Sequence, residues 1–146
     1  MGRKNQMMIY GLLLIMLTNS CTSVQSVLPF PVSVSKEACK GKCPVYKIII
    51  LKSGEVDFEG VKNTKHTGRS KVLLSKKEFQ ELKQVYKTID LSKLKNSYDQ
   101  RIYDLPQTVI KNSNNSVSFK RNQSVPIELI KFVELLDEIL KKNNLL

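Results

Sequence analysis

The chain has 146 residues, with 24 Lys+Arg against 13 Asp+Glu, three cysteines, one histidine and no tryptophan. That length suits one domain, a hydrophobic fraction of 41% excludes wholesale disorder, and a single short apolar stretch excludes a membrane bundle. One histidine cannot build a many-histidine zinc hydrolase, and twenty scattered lysines with only four arginines lack the arginine forks that nucleic-acid readers favour.

The first six residues carry Arg3 and Lys4, and residues 7–17 form an uncharged apolar run. A spanning helix needs roughly 20 apolar residues, whereas the core of an export signal needs about 7–15. The run has the second length. Thr18-Asn19-Ser20-Cys21 follows. It resembles the lipobox of bacterial lipoproteins, in which a small residue precedes a cysteine that is acylated and becomes the new first residue. Ser20 takes the small position and Cys21 the acylated one; Thr18 departs from the leucine commonest there. The resemblance implies a signal peptide over residues 1–20 and a lipid anchor at Cys21. Ordinary signal cleavage near Ser20, or an uncleaved short anchor, is the competing reading. With lipid on Cys21, the remaining cysteines are one pair, Cys39 and Cys43, in an oxidising compartment where pairs persist as disulfides. Loss of Arg3 and Lys4 leaves 22 basic residues against 13 acidic ones, a balance suited to anionic headgroups.

Residues 21–31 are uncharged and contain serine and proline, which reads as a tether ahead of a single domain over residues 32–142. Val32 and Val34 alternate with Ser33 and Ser35, a weak first strand. After the cysteine loop, residues 45–52 are dense in β-branched side chains and predict the clearest strand. Ser53-Gly54 signals a two-residue turn, and residues 55–59 alternate into a second strand with Val56 and Phe58 inward, ending at Gly60. Residues 62–70 are polar, and Val72-Leu73-Leu74 predicts a further strand. Ser75 with Glu78 forms a capping box, and Phe79, Leu82, Tyr86 and Ile89 recur at helical spacing, so a helix runs over about 76–89. Residues 91–94 read as a turn or short helical piece. Residues 107–112 and 116–121 predict a second hairpin about Ser113-Asn114-Asn115. Ser124 and Pro126 open the last helix, although they place its cap one residue apart. Eight large apolar residues between 129 and 140 give that helix a wide apolar surface. Either the first helix packs alongside and covers it, or part of Leu129, Ile130, Leu135 or Ile139 stays exposed to a partner. The order of elements predicts an α+β fold, an antiparallel sheet built from hairpins with both helices on one face.

The densest motif is Cys39-Lys40-Gly41-Lys42-Cys43-Pro44-Val45-Tyr46. It resembles the mark of the bacterial domain family of unknown function DUF6438, C-x-G-x-C-P-x-Y leading into a hairpin. Tyr98 and Asp104-Leu105-Pro106 look like the family's later tyrosine and D-L-P elements, although Tyr103 stands where a threonine is frequent. The likeness covers roughly residues 34–140. It implies an exported, often lipid-anchored protein and carries no established activity. In bacteria with such proteins, acids just after the lipidated cysteine commonly favour surface export. Residues 22–26 hold none, which implies the periplasmic face of the outer membrane.

Gly41 can supply the positive φ that a tight cysteine loop requires, and Pro44 leads into the strand without removing a ladder donor. A ring this small would restrict the unfolded chain by about 2 kcal/mol. The sharper alternative is periplasmic thiol-redox or copper chemistry. C-x-x-x-C-P also resembles the copper loop of Sco-type chaperones, so Cys39, Cys43 and His66 would be the ligands. Against it, that motif opens a helix, whereas a β-branched run follows Pro44 here. Lys40 and Lys42 would lower the thiol pKa. Hydrolytic motifs are absent from the sequence: no G-x-S-x-G, H-E-x-x-H or phosphate loop. Asp99 and Asp104, beside Tyr98 and Tyr103, read as turn residues rather than an acid–base pair. The expectation is a non-catalytic module with no cofactor and no metal site. Its expected partners are the membrane, through Cys21, and an envelope protein, not nucleic acid.

Overall fold

The structure is a computed structural model, and it describes residues 30–98 and 104–146. The chain forms strands β1 (Val32–Lys36), β2 (Val45–Ile50), β3 (Glu55–Lys62) and β4 (Gly68–Leu73), then helix α1 (Lys76–Lys87). A 3₁₀ turn (Leu91–Lys93) and a two-residue β5 (Ser97–Tyr98) lead to β6 (Gln107–Lys111), β7 (Ser116–Lys120) and α2 (Ile127–Lys142). The sheet order is β4-β3-β2-β1-β6-β7-β5, antiparallel throughout except for the β5–β7 pair. The expected α+β architecture is the observed one.

The weakest strand in the sequence occupies the middle of the sheet. Val32 and Val34 of β1 are 0% and 1% exposed, while Ser33 and Ser35 point to the opposite face. In β2 the isoleucine run hides the same alternation: Tyr46, Ile48 and Ile50 are buried, Lys47 and Ile49 are not. Val56, Phe58, Ile110, Val117 and Phe119 complete the covered face, and the two helices lie on it. Leu82 and Tyr86 of α1 meet Leu129, Phe132, Val133, Leu136, Ile139 and Leu140 of α2 in one core, with the Tyr86 and Phe132 rings 5.2 Å apart.

Several sequence expectations shift. The hairpin loop holds three residues rather than two: Leu51 N–H donates to Glu55 O at 2.8 Å, and Gly54 takes φ +86° before β3 resumes. β3 does not end at Gly60 but runs through it to Lys62, and the polar stretch contributes the start of β4. Gly60 is glycine because the β3–β4 turn folds back over it. A Cβ there would lie 2.0 Å from the His66 carbonyl oxygen. Pro126 stands at the α2 cap, where its ring has no polar atom to bond the helix amides, and Ser124 is held away from the cap by Asn122 Oδ1, which accepts from its hydroxyl at 2.5 Å and its N–H at 2.8 Å. The exposed apolar patch considered for α2 does not form. Leu129 and Ile139 are 0% and 4% exposed, and Ile130 and Leu135 are half-buried against the core, because α1 packs beside α2.

The fold also draws in residues beyond the expected 32–142 span. Phe30 is buried between Phe79 and Tyr86 of α1, at 5.7 and 5.8 Å between rings. At the other end α2 closes with a left-handed Asn144 (φ 58°), its N–H bonded to Lys141 O and the Leu145 N–H to Leu140 O. Leu145 is buried and accepts a bond from His66 N–H at 3.2 Å.

Candidate functional site

Two places in the molecule gather chemistry-bearing side chains. The first is the end of the sheet where β1 stops and β2 begins. Cys39 and Cys43 form a disulfide with Cα atoms 5.8 Å apart. Gly41 N–H donates to Cys39 Sγ at 3.2 Å, and Asn63, itself left-handed at φ 57°, donates from Nδ2 to Cys43 O at 3.0 Å. Lys40 pairs with Asp104 at 2.9 Å across open solvent, which brings the D-L-P segment against the cysteine loop. One sequence expectation is corrected here. Gly41 does not adopt a positive φ, and a Cβ on it would make an ordinary 3.7 Å contact with Cys39 Sγ.

Below that loop, on the helix side, lies a half-enclosed polar cluster. Tyr46, the last residue of the cysteine motif, is 0% exposed and donates its hydroxyl to Asp137 Oδ1 of α2 at 2.6 Å. Lys36, from the end of β1, pairs with Asp137 Oδ2, and its ammonium sits 5.9 Å from the Tyr46 ring centre. Burial first, and the Asp137 charge second, push the Tyr46 phenol well above its usual range, so it stays protonated and keeps donating. The cluster binds β1, β2 and α2 together through one carboxylate.

The sequence reading passed over Lys36 and Asp137, yet both carry a signal. Lys36 lies two residues beyond Val34, on the inward side of a strand, and Asp137 lies four after Val133 and three before Leu140, on the apolar side of a helix. A charge at a core position implies a partner.

The second place is the sheet face that neither α1 nor α2 covers. It is concave and encloses about 870 Å³, with Ser33 and Ser35 of the central strand as its floor. Across one row, strand partners run Lys111, Ser33, Ile49, Asp57, Lys71; across the next, Val109, Ser35, Lys47, Glu59, Arg69. Towards β4 the charges neutralise one another. Lys71 reaches Glu55 at 3.0 Å and Asp57 at 3.3 Å, which raises its pKa, chiefly through the bond to Glu55, and Arg69 stands 4.0 Å from Glu59. Towards the centre they do not. Among the described residues Lys47 and Lys111 have no acid within ion-pair distance, and both are exposed beside the serine floor.

The remaining expected residues fall elsewhere. His66 sits in the β3–β4 turn, its ring 6.4 Å from that of Phe58. Among the described residues, no three His, Cys, Asp or Glu side chains come together in a way that could hold a metal, so His66 does not join Cys39 and Cys43 in such a group. Tyr98 lies in β5 at the far edge, its hydroxyl accepting from Lys95 N–H at 3.3 Å. Cys21, Asp99 and Tyr103 lie outside the described residues. No helix among the described residues is long and apolar enough to cross a membrane.

The profile of DUF6438, a domain of unknown function, matches residues 31–140, three-quarters of the chain, from the start of the sheet to the last turn of α2. The chain belongs to the DUF6438 family. No curated protein matches it. In this DUF6438 chain the motif tyrosine is a tie between strand and helix, and the motif cysteines close the loop that leads into the same strand.

Proposed function

We propose that the chain is an exported envelope protein, lipid-anchored at Cys21 on the periplasmic face of the outer membrane, that works as a non-catalytic binding or structural module. The observation that carries the binding role is the bare concave face. Among the described residues the sheet leaves the side away from α1 and α2 open, floors it with two serine hydroxyls and sets Lys47 and Lys111 there with no acid within ion-pair distance. The Cys39–Cys43 bond serves as a staple at the entry to β2, a role supported by its ties to Asn63 and, through Lys40, to Asp104. The apolar run and Ser20-Cys21 support the anchor. Metabolic acyl labelling tests it: the protein takes up lipid and a Cys21→Ala variant leaves the membrane fraction. A variant that still partitions into membranes contradicts the anchor, and protease cleavage of the protein in whole cells contradicts the periplasmic face.

A second reading, a periplasmic thiol-redox or copper-binding protein, draws on one feature. The cysteine loop is exposed, carries Lys40 and Lys42, and aims Gly41 N–H at Cys39 Sγ, an arrangement that would stabilise a thiolate. Thiol counting on the purified mature protein separates the two. The structural reading expects no free thiol from Cys39 or Cys43 under mild reductant; the redox reading expects two, and the copper reading expects both lost again on adding Cu(I).

A further inference from the structure

The lysines of α1 are not evenly spread around the helix. Lys76, Lys83 and Lys87 are spaced by seven and four residues, which stacks them with Gln80 on a single face, turned away from the buried Leu82 and the half-buried Val85. Of the two acids of α1, Glu78 is turned inward and paired with Lys142 at 3.0 Å, and Glu81 lies on the Lys77 side of the helix, so neither falls within the stripe. α2 offers no such face: Lys131, Lys141 and Lys142 share it with Glu128, Glu134, Asp137 and Glu138.

The chain enters the fold beside this stripe. Phe30 packs on Phe79 and Tyr86, which flank the lysine face, and Lys83 Nζ lies 4.6 Å from the Phe79 ring centre. Phe30 is nine residues after Cys21, a span of at most about 30 Å even fully extended. An anchor at Cys21 therefore holds the entry side of α1 near the bilayer. The opposite side of the molecule is the bare sheet face, since both helices lie on the other side of the sheet.

We infer that the Lys76–Lys83–Lys87 stripe rests on the anionic headgroups of the leaflet that holds the anchor, so that the domain stands with its helices on the membrane and its concave face turned away. This rests on the anchoring reading above. Lysine ammonium groups beside a lipid phosphate gain from the negative surface potential without leaving water, and each adds to a contact that the tether has already made local. The orientation gives the concave face a role it would lose if the domain lay the other way up.

The test uses the acylated full-length mature protein in two sets of vesicles, phosphatidylethanolamine alone or with about a quarter phosphatidylglycerol. An amine-reactive label reports each lysine by mass spectrometry. Lys76, Lys83 and Lys87 should label about fivefold more slowly on the anionic vesicles than on the neutral ones, a difference that high salt removes, while Lys47 and Lys111 label equally on both. A protein that stays on both vesicle types while the stripe labels at the same rate on each keeps its anchor and overturns the orientation. A protein that washes off both in high salt lacks the anchor, and overturns both readings.

Discussion

The two faces of the sheet are made by alternate residues of the same strands, yet they are built to opposite rules. On the helix side, Val32, Val34, Ile48, Ile50 and Phe58 are all at most 1% exposed, and the charged cluster that joins sheet to helix, Lys36 with Asp137, is closed by the Tyr46 hydroxyl. On the bare side, Ser33, Ser35, Lys47 and Lys111 sit at the same strand positions one step along, small or charged and open to water. Burial has to be matched atom for atom, because an unpaired charge out of water costs several kcal/mol. An exposed lysine carries no such requirement. Stability therefore sits on one face, and the other is open to evolve towards a partner.

Substitutions on the two faces sharpen or break that division. Phe132→Ala removes a ring that is 1% exposed at the α1–α2–sheet junction and should cost about 3–5 kcal/mol in chemical denaturation. Asp137→Ala strips Tyr46 of its acceptor and leaves Lys36 half-enclosed without a counter-charge. A loss of about 3 kcal/mol is expected, against about 1 kcal/mol for Tyr46→Phe, which spares the ion pair. Equal costs for the two would show that the carboxylate does not hold the cluster together.

Glu78 gives the helix layer a pH signature. Its bonds to the Ser75 side chain first, and to Lys142 second, lower its pKa from 4.5 to about 2. A group depressed in the fold stabilises it above the unfolded value and loses that contribution as acid titrates it. Stability should thus decline as pH falls from 4.5 towards 2. Glu78→Gln should flatten that interval and cost about 1 kcal/mol at neutral pH, read from thermal melts across the range. The smallest effects belong to the bare face. Lys47→Ala and Lys111→Ala should each stay within about 0.5 kcal/mol of the unaltered protein. A larger loss would move those lysines from the binding account to the stability account.

The strands and helices could be read from the sequence wherever one period dominated. The Ser75–Glu78 capping box is present bond for bond, with Glu78 N–H donating to Ser75 Oγ and Ser75 N–H to Glu78 Oε2. What could not be read was set by contacts between distant segments. Gly60 reads locally as a terminator, but it is there because the His66 carbonyl crosses it. Ser124 reads as a cap, but Asn122 holds it. The α2 surface looks too apolar only until α1 is placed beside it. The Cys39–Cys43 bond and the importance of Tyr46 stand out in the motif itself. Their partners Asn63, Asp104, Lys36 and Asp137 are spread over a hundred residues, and only the core-facing positions of Lys36 and Asp137 give any sign of them.

We propose the bare concave face as the working surface of an envelope binding module. Amine labelling of Lys47 and Lys111 in intact envelopes, compared with the purified protein, tests it most directly, with the exposed Lys93 beyond α1 as the reference. Lys47 and Lys111 should label more slowly in the envelope while Lys93 does not change. Equal labelling of all three in both settings would contradict it.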